Sequence, residues 1–167
     1  KKYGGIILDD NLYGKCVLPH SKVKINKVEL TILNFFNLIV SPELPNLNIN
    51  EGKWYVLNSS NSFKINSYDS YTRQFTPQKI ISIYCQKIEE KIKKITLANK
   101  MEILCTQKHR FLQSTHPIHN ISTWQNLLEI GDKIGTYQNG ILKYEEITEI
   151  STMKYKGFVF DFQIENT

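Results

Sequence analysis

The chain has 167 residues, 41% of them hydrophobic and 22% charged, with 21 basic against 16 acidic side chains for a net charge of +5. These figures describe one globular domain, alone or with a flanking arm, large enough to bury about two-thirds of its unfolded surface without covalent staples. No apolar run approaches the roughly 18 residues of a membrane span, and residues 1–15 carry Asp9 and Asp10 where a signal peptide would be apolar, so neither a secreted protein nor a membrane partner is expected.

Residues 1–15, KKYGGIILDDNLYGK, hold a short apolar run between Gly4-Gly5 and the turn-forming Asp9-Asp10-Asn11, the pattern of an arm. From Val17 to Ile25, Val23 and Ile25 alternate with Lys22, Lys24 and Asn26, the period of a half-buried strand. The run VELTILNFFNLI then places Leu30, Leu33, Phe35, Phe36 and Ile39 near helical spacing and predicts a short helix at 29–39. Pro42 and Pro45 close it, and residues 41–75 turn rich in Asn and Ser around the strand-like WYVL of 54–57, which suggests an insertion with hairpins and a mobile loop.

Successive strands follow at 79–85, 92–98 and 102–106, with Asn99-Lys100 at the reversal between the last two. The polar run QKIEEKIKK between the first two has the pattern of a solvated strand edge or turn. Further strands are predicted at 109–113, 133–137, 141–150 and 157–164, with Asn139-Gly140 as a hairpin turn and a helical turn at 123–129. Many short strands with turns this close together predict an all-β fold.

Three cysteines, Cys16, Cys85 and Cys105, cannot all pair and lack the C-x-x-C spacing of a zinc or redox site, so no disulfide scaffold is expected. Cys85 and Cys105 lie inside apolar strands, as small core hydrophobes do. Cys16 opens the first strand behind Tyr13-Gly14-Lys15, where solvent could reach it. Thr106 ends a strand and His109 stands on the following turn, so a hydroxyl donor and an imidazole acid or base can face one peptide; the same residues also suit a turn cap beside a core histidine. His116 and His119 flank Pro117 in a polar loop without a Cys, Asp or Glu at ligand spacing, and no metal is expected there. Asp161, within the aromatic strand GFVFDFQI, either points outward or has an interior partner, because burying it alone is costly. The lysines are scattered, and the one cluster, Lys87 to Lys94, is broken by Glu89 and Glu90, so nucleic acid is not an expected partner.

Taken in order, CVLPHSKVKI, EILCTQKHRFL, WQNLLEIGDKI and GFVFDFQIENT resemble the Hint superfamily in its intein branch, the self-splicing protein elements. Inteins begin with Cys in a C-x-x-x-x-[ST]-x-[VI] strand, which Cys16, Ser21 and Val23 match. Their T-x-x-H is matched by Thr106 and His109, and the Trp and L-x-x-G-D turn that follow by Trp124, Leu128, Gly131 and Asp132. Their late [VI]-[YF]-D-[LF]-x-[VI] strand is matched by Val159, Phe160, Asp161, Phe162 and Ile164. The resemblance runs from Cys16 to the C-terminus apart from 41–75.

The resemblance implies the horseshoe-like Hint fold of many short strands with one or two short helices. It makes residues 1–15 an N-extein remnant, residues 16–167 the splicing domain and Lys15–Cys16 the scissile bond. Cys16 would attack the Lys15 carbonyl, His109 would protonate the departing amine, Thr106 would hydrogen-bond the scissile peptide, and Asp161 would orient or help deprotonate the thiol. No external cofactor is implied, and a reducing compartment, cytoplasm or plastid, would keep Cys16 nucleophilic. Two departures bear on this reading. The family's final strand, with its penultimate His and terminal Asn, is not matched by Thr167, and Asn166 reads as a turn residue. Thr106 to Asp161 also leaves no room for a homing-endonuclease domain. The expected form is a mini-intein, or the N-terminal fragment of a split intein completed by a C-terminal segment carrying its extein, with the flanking host protein as the other partner. Other readings are a Hint autoprocessing domain of the hedgehog or bacterial-intein-like kind and, from a different class, a non-catalytic basic all-β binding module.

Overall fold

A computed structural model describes residues 16–58, 62–69, 74–116, 121–125, 127–138 and 141–165. The arm at 1–15, with Lys15, and the turn at Asn139-Gly140 lie outside the described residues, as does His119. Ten strands and one helix are present among the described residues, in keeping with the all-β expectation.

Hairpin β1 (Lys22–Ile25) and β2 (Val28–Thr31) pair Lys22 with Thr31 and Ile25 with Val28 across Asn26 and Lys27. Both turn residues have positive φ, 50° and 67°, the backbone of the two-residue turn that matches strand twist. That turn corrects the helix predicted at 29–39: Val28 to Thr31 are taken by strand pairing, and α1 spans Ile32–Ile39. Thr31 caps it, its hydroxyl accepting from the Asn34 N–H at 3.1 Å. Ile32, Phe35 and Phe36, at i, i+3 and i+4, form its buried face.

The frame is two strands of 24 residues, β5 (Gln74–Leu97) and β10 (Ile141–Ile164), each about 80 Å of extended chain. They pair antiparallel from Ile80 opposite Ile164 to Leu97 opposite Ile147, with irregularities near each end. This merges the strands expected at 79–85 and 92–98, and likewise those at 141–150 and 157–164. The polar run that suggested a break is strand because its partners are polar too: Glu89 lies opposite Lys156 and Lys91 opposite Lys154, with Lys156 Nζ 3.6 Å from Glu89 Oε2.

Within 41–75 the chain supplies β3 (Gly52–Val56) and β4 (Lys64–Asp69), both paired with β5, and β4 also meets β1 through Ile65 and Ile25. Strand β6 (Glu102–Thr106) returns on β5 through the turn at Asn99-Lys100, where Lys100 has φ 72° and Asn99 Oδ1 accepts from the Met101 N–H at 3.0 Å. Strands β7 (Phe111–His116), β8 (Ile121–Gln125) and β9 (Lys133–Gln138) complete the order β2-β1-β4-β5-β10-β9-β7-β8. The helical turn expected at 123–129 is a further correction, since Ile121 to Gln125 are β8, held by pairing to β7. Between β8 and β9, Gly131 takes φ +99° and Asp132 Oδ2 accepts from the Glu129 N–H at 2.8 Å, so the G-D pair makes a reversal.

One core lies where α1 covers the sheet, around Phe35, Phe36, Ile83 and Phe160. A second joins Ile95, Ile103, Phe111 and Ile147 at the other end of the long strands. A third, small cluster of Cys16, Leu18, Ile88, Ile92 and Val159 sits along the same strand pair.

Candidate functional site

Val17 threads between two strands and fixes the residue before it. Its N–H donates to the Phe160 carbonyl at 2.8 Å, its own carbonyl accepts from the Phe160 N–H at 2.9 Å, and it bridges to Cys105 on the other side. Fully buried, it cannot move without opening the sheet. Strand β6 ends beside Cys16, and both the N–H and the hydroxyl of Thr106 donate to the Cys16 carbonyl, at 3.4 and 3.2 Å. Thr106 therefore grips the peptide that follows Cys16, one bond beyond the Lys15–Cys16 peptide. The turn after Thr106 closes when the His109 N–H donates to the Thr106 carbonyl at 3.1 Å. His109 is completely buried, its ring edge-to-face with Phe111 at 4.7 Å.

From β10, Asp161 follows the residue that pairs with Val17. It is buried rather than outward, and its Oδ1 accepts from the Phe162 N–H at 2.8 Å. Cys16 is only 5% exposed, which corrects the expectation of an open thiol: Leu18, Ile88, Ile92 and Val159 pack around it. Burial pushes the Cys16 thiol far above its ordinary range, and the negative charge of Asp161 pushes it further, ahead of smaller contributions from Cys85 and Glu90. Cys85 and Cys105, buried as expected, are pushed up to about 12 mainly by desolvation. At neutral pH the resting nucleophile is a thiol, so its chemistry requires a proton acceptor beside it.

A cleft of about 430 Å³ opens at Cys16 and Thr106 and is lined also by Asn50, Gln86, Ile88, Glu90, Lys91, Gln107 and Lys108. His109 and Asp161 are buried and are not among its lining residues. Sequence reading named Cys16, Thr106, His109 and Asp161; the structure joins Thr106 to the Cys16 carbonyl, places His109 on the turn that closes on Thr106, and sets Asp161 one residue beyond Phe160, the β10 partner of Val17. Sequence reading missed Glu90, whose period-2 position between Ile88 and Ile92 turns it to the Cys16 side of β5. His116 closes β7. Among the described residues no group of three or more His, Cys, Asp or Glu could hold a metal ion, and no helix is long and apolar enough to cross a membrane.

No family model matches the chain. Over 114 residues, 68% of the chain, it is 24% identical to the uncharacterized protein MJ0781 of Methanocaldococcus jannaschii, and it spans only 15% of that relative's length. Solved structures are more informative about architecture. The PabCDC21-1 intein superposes with a TM-score of 0.74 at 17% identity, over 91% of this chain and 90% of that one. The TvoVMA intein gives 0.73 at 16%, over 92% and 89%, and a KlbA intein precursor from Methanococcus jannaschii gives 0.70 at 20%, over 93% and 85%. The chain has the all-β Hint fold of inteins and mini-inteins.

Proposed function

We propose that this chain is a protein-splicing domain whose first step is an N-to-S acyl shift at Lys15–Cys16. The observation that carries the reading is the doubly hydrogen-bonded Cys16 carbonyl, gripped by Thr106 while Val17 is pinned to Phe160, which holds a cysteine at the mouth of a cleft beside a buried carboxylate.

In that step the Cys16 sulfur bonds to the Lys15 carbonyl carbon and the C–N bond to Cys16 breaks, so an amide becomes a thioester and an amine. The thiol proton passes to Asp161 as sulfur attacks, and His109 delivers a proton to the departing nitrogen. A peptide resists this exchange through its resonance, so an anchored residue 16 is useful: strain or polarisation applied at residue 15 is not relieved by movement of the chain that follows. Ligation then needs a downstream nucleophile and a cyclising Asn, supplied by a C-terminal intein segment in cis or on a second chain. Flanking exteins are the substrates, and no cofactor takes part.

The test is mass spectrometry of the chain treated with dithiothreitol or hydroxylamine, with a complementing C-terminal intein segment present. Cleavage after Lys15 is expected, and Cys16→Ala should abolish it. Cleavage that persists in the Ala variant, or none in the wild type, refutes the reading.

A further inference from the structure

One buried cation sits next to this site without a role in the chemistry above. On β5, Lys93 lies opposite Cys105 of β6, while its neighbour Lys94 turns to the surface and meets Glu102 at 3.7 Å. Lys93 turns inward and is only 6% exposed. Its ammonium donates to the Gln107 carbonyl at 3.2 Å and stands over the Phe111 ring at 5.8 Å. Gln107 is the residue between Thr106 and the rest of the turn, and Phe111 is the ring against which His109 packs.

We propose that Lys93 is a positioning residue that holds the Thr106–His109 turn, through the Gln107 carbonyl on one side and the Phe111 ring on the other. Both arms of the first step then depend on one ammonium: the hydroxyl on the Cys16 carbonyl and the imidazole that serves the leaving nitrogen. Burial lowers the Lys93 pKa, as it does for any desolvated ammonium, so the charge is held in the interior at a cost that its contacts must offset. A methionine fills nearly the same volume with an apolar chain, and replacing a buried ion by an apolar side chain of similar size is often neutral or stabilising. Stability and positioning therefore separate at this residue.

This inference rests on the splicing reading for its kinetic arm, and its spectroscopic arm stands apart from it. Lys93→Met is expected to slow thiol-induced cleavage after Lys15 by roughly 10- to 100-fold, the scale of a small misplacement of catalytic groups, with a melting temperature within a few degrees of wild type. Lys93→Arg, which keeps the donor and the charge, should restore most of the rate. In the uncleavable Cys16→Ala background, Lys93→Met should also move the NMR signals of the Thr106 amide and the His109 ring. A wild-type rate with unmoved signals overturns the inference and leaves the splicing reading standing, as does a loss shared equally by Lys93→Arg and matched by a large fall in melting temperature. If the wild type itself fails to cleave, the splicing reading falls and the NMR shifts alone decide whether Lys93 holds the turn.

Discussion

Replacing Asp161 by Asn should move two properties of Cys16 in opposite directions. The carboxylate disfavours the thiolate, and Asn removes that charge while keeping an oxygen to accept from the Phe162 N–H. At about 6 Å, the outer reach over which a neighbouring charge shifts a pKa, and an effective dielectric of about 20, a unit charge is worth about 2.8 kcal/mol, on the order of 100-fold in thiolate population. Desolvation, the larger cause of the upward shift, is untouched, so Cys16 stays a weak acid and the gain registers as reactivity at fixed pH. Iodoacetamide labelling of Cys16 at pH 8, followed by peptide mapping with Cys85 and Cys105 as internal references, should accelerate by 10- to 100-fold as an order-of-magnitude expectation. Over the same samples, thiol-induced cleavage should slow by roughly 10²–10⁴, the usual worth of a positioned proton acceptor. An enzyme whose aspartate merely depressed the nucleophile would gain in both assays. Faster labelling together with faster cleavage would sink the assignment of Asp161 as base, and unchanged labelling would show that its charge does not reach the sulfur.

His109→Ala should slow the first step by roughly 10²–10⁴, and Thr106→Val by less, because it deletes the hydroxyl donor to the Cys16 carbonyl and spares the N–H; single-turnover kinetics that reverse this order would exchange their roles. Stability should fall as pH rises above about 9. The folded thiol of Cys85 is pushed to about 12 from a reference of 9.0, so its contribution is complete below the unfolded value and is lost as pH climbs from there towards the folded one. Urea unfolding at pH 8, 9.5 and 10.5 should give a steeper decline for wild type than for Cys85→Ala, and parallel slopes would show that this thiol is not held protonated by the fold.

The candidate site residues stand out in the sequence because each motif is local: a Cys ahead of an alternating strand, a T-x-x-H after one, a carboxylate among aromatics. Continuity of the long strands was not, since Glu89, Glu90 and Lys91 look like a solvated turn until their partners Lys156, Tyr155 and Lys154 are placed opposite them. Pairing between residues some sixty positions apart leaves no periodic mark of its own. The same limit hid the start of α1, where the apolar spacing of Leu30 with Leu33 is helical but the Asn26-Lys27 turn commits Leu30 to a strand opposite Val23. Lys93 was lost in a run of four lysines, of which the structure buries this one, opposite Cys105.

A sheet core tolerates few polar side chains, since each must recover in hydrogen bonds what it loses in hydration. Among the described residues the buried polar set is Ser67, Ser82, Lys93, Thr106, His109, Thr136 and Asp161. Its three ionisable members, Lys93, His109 and Asp161, gather with Thr106 about the stretch of chain that follows Cys16, and none is buried in the α1 core. Groups that recognise a ligand line its cleft, whereas the Lys93, His109 and Asp161 side chains are buried and are not among the lining residues of this one. Groups that exchange protons with a buried sulfur and nitrogen must instead stand in the interior at fixed positions. The cost is concentrated where an acyl shift at residue 16 would use it, at the edge of the second core where His109 and Lys93 meet Phe111, while the core under α1 holds none of Lys93, His109 and Asp161.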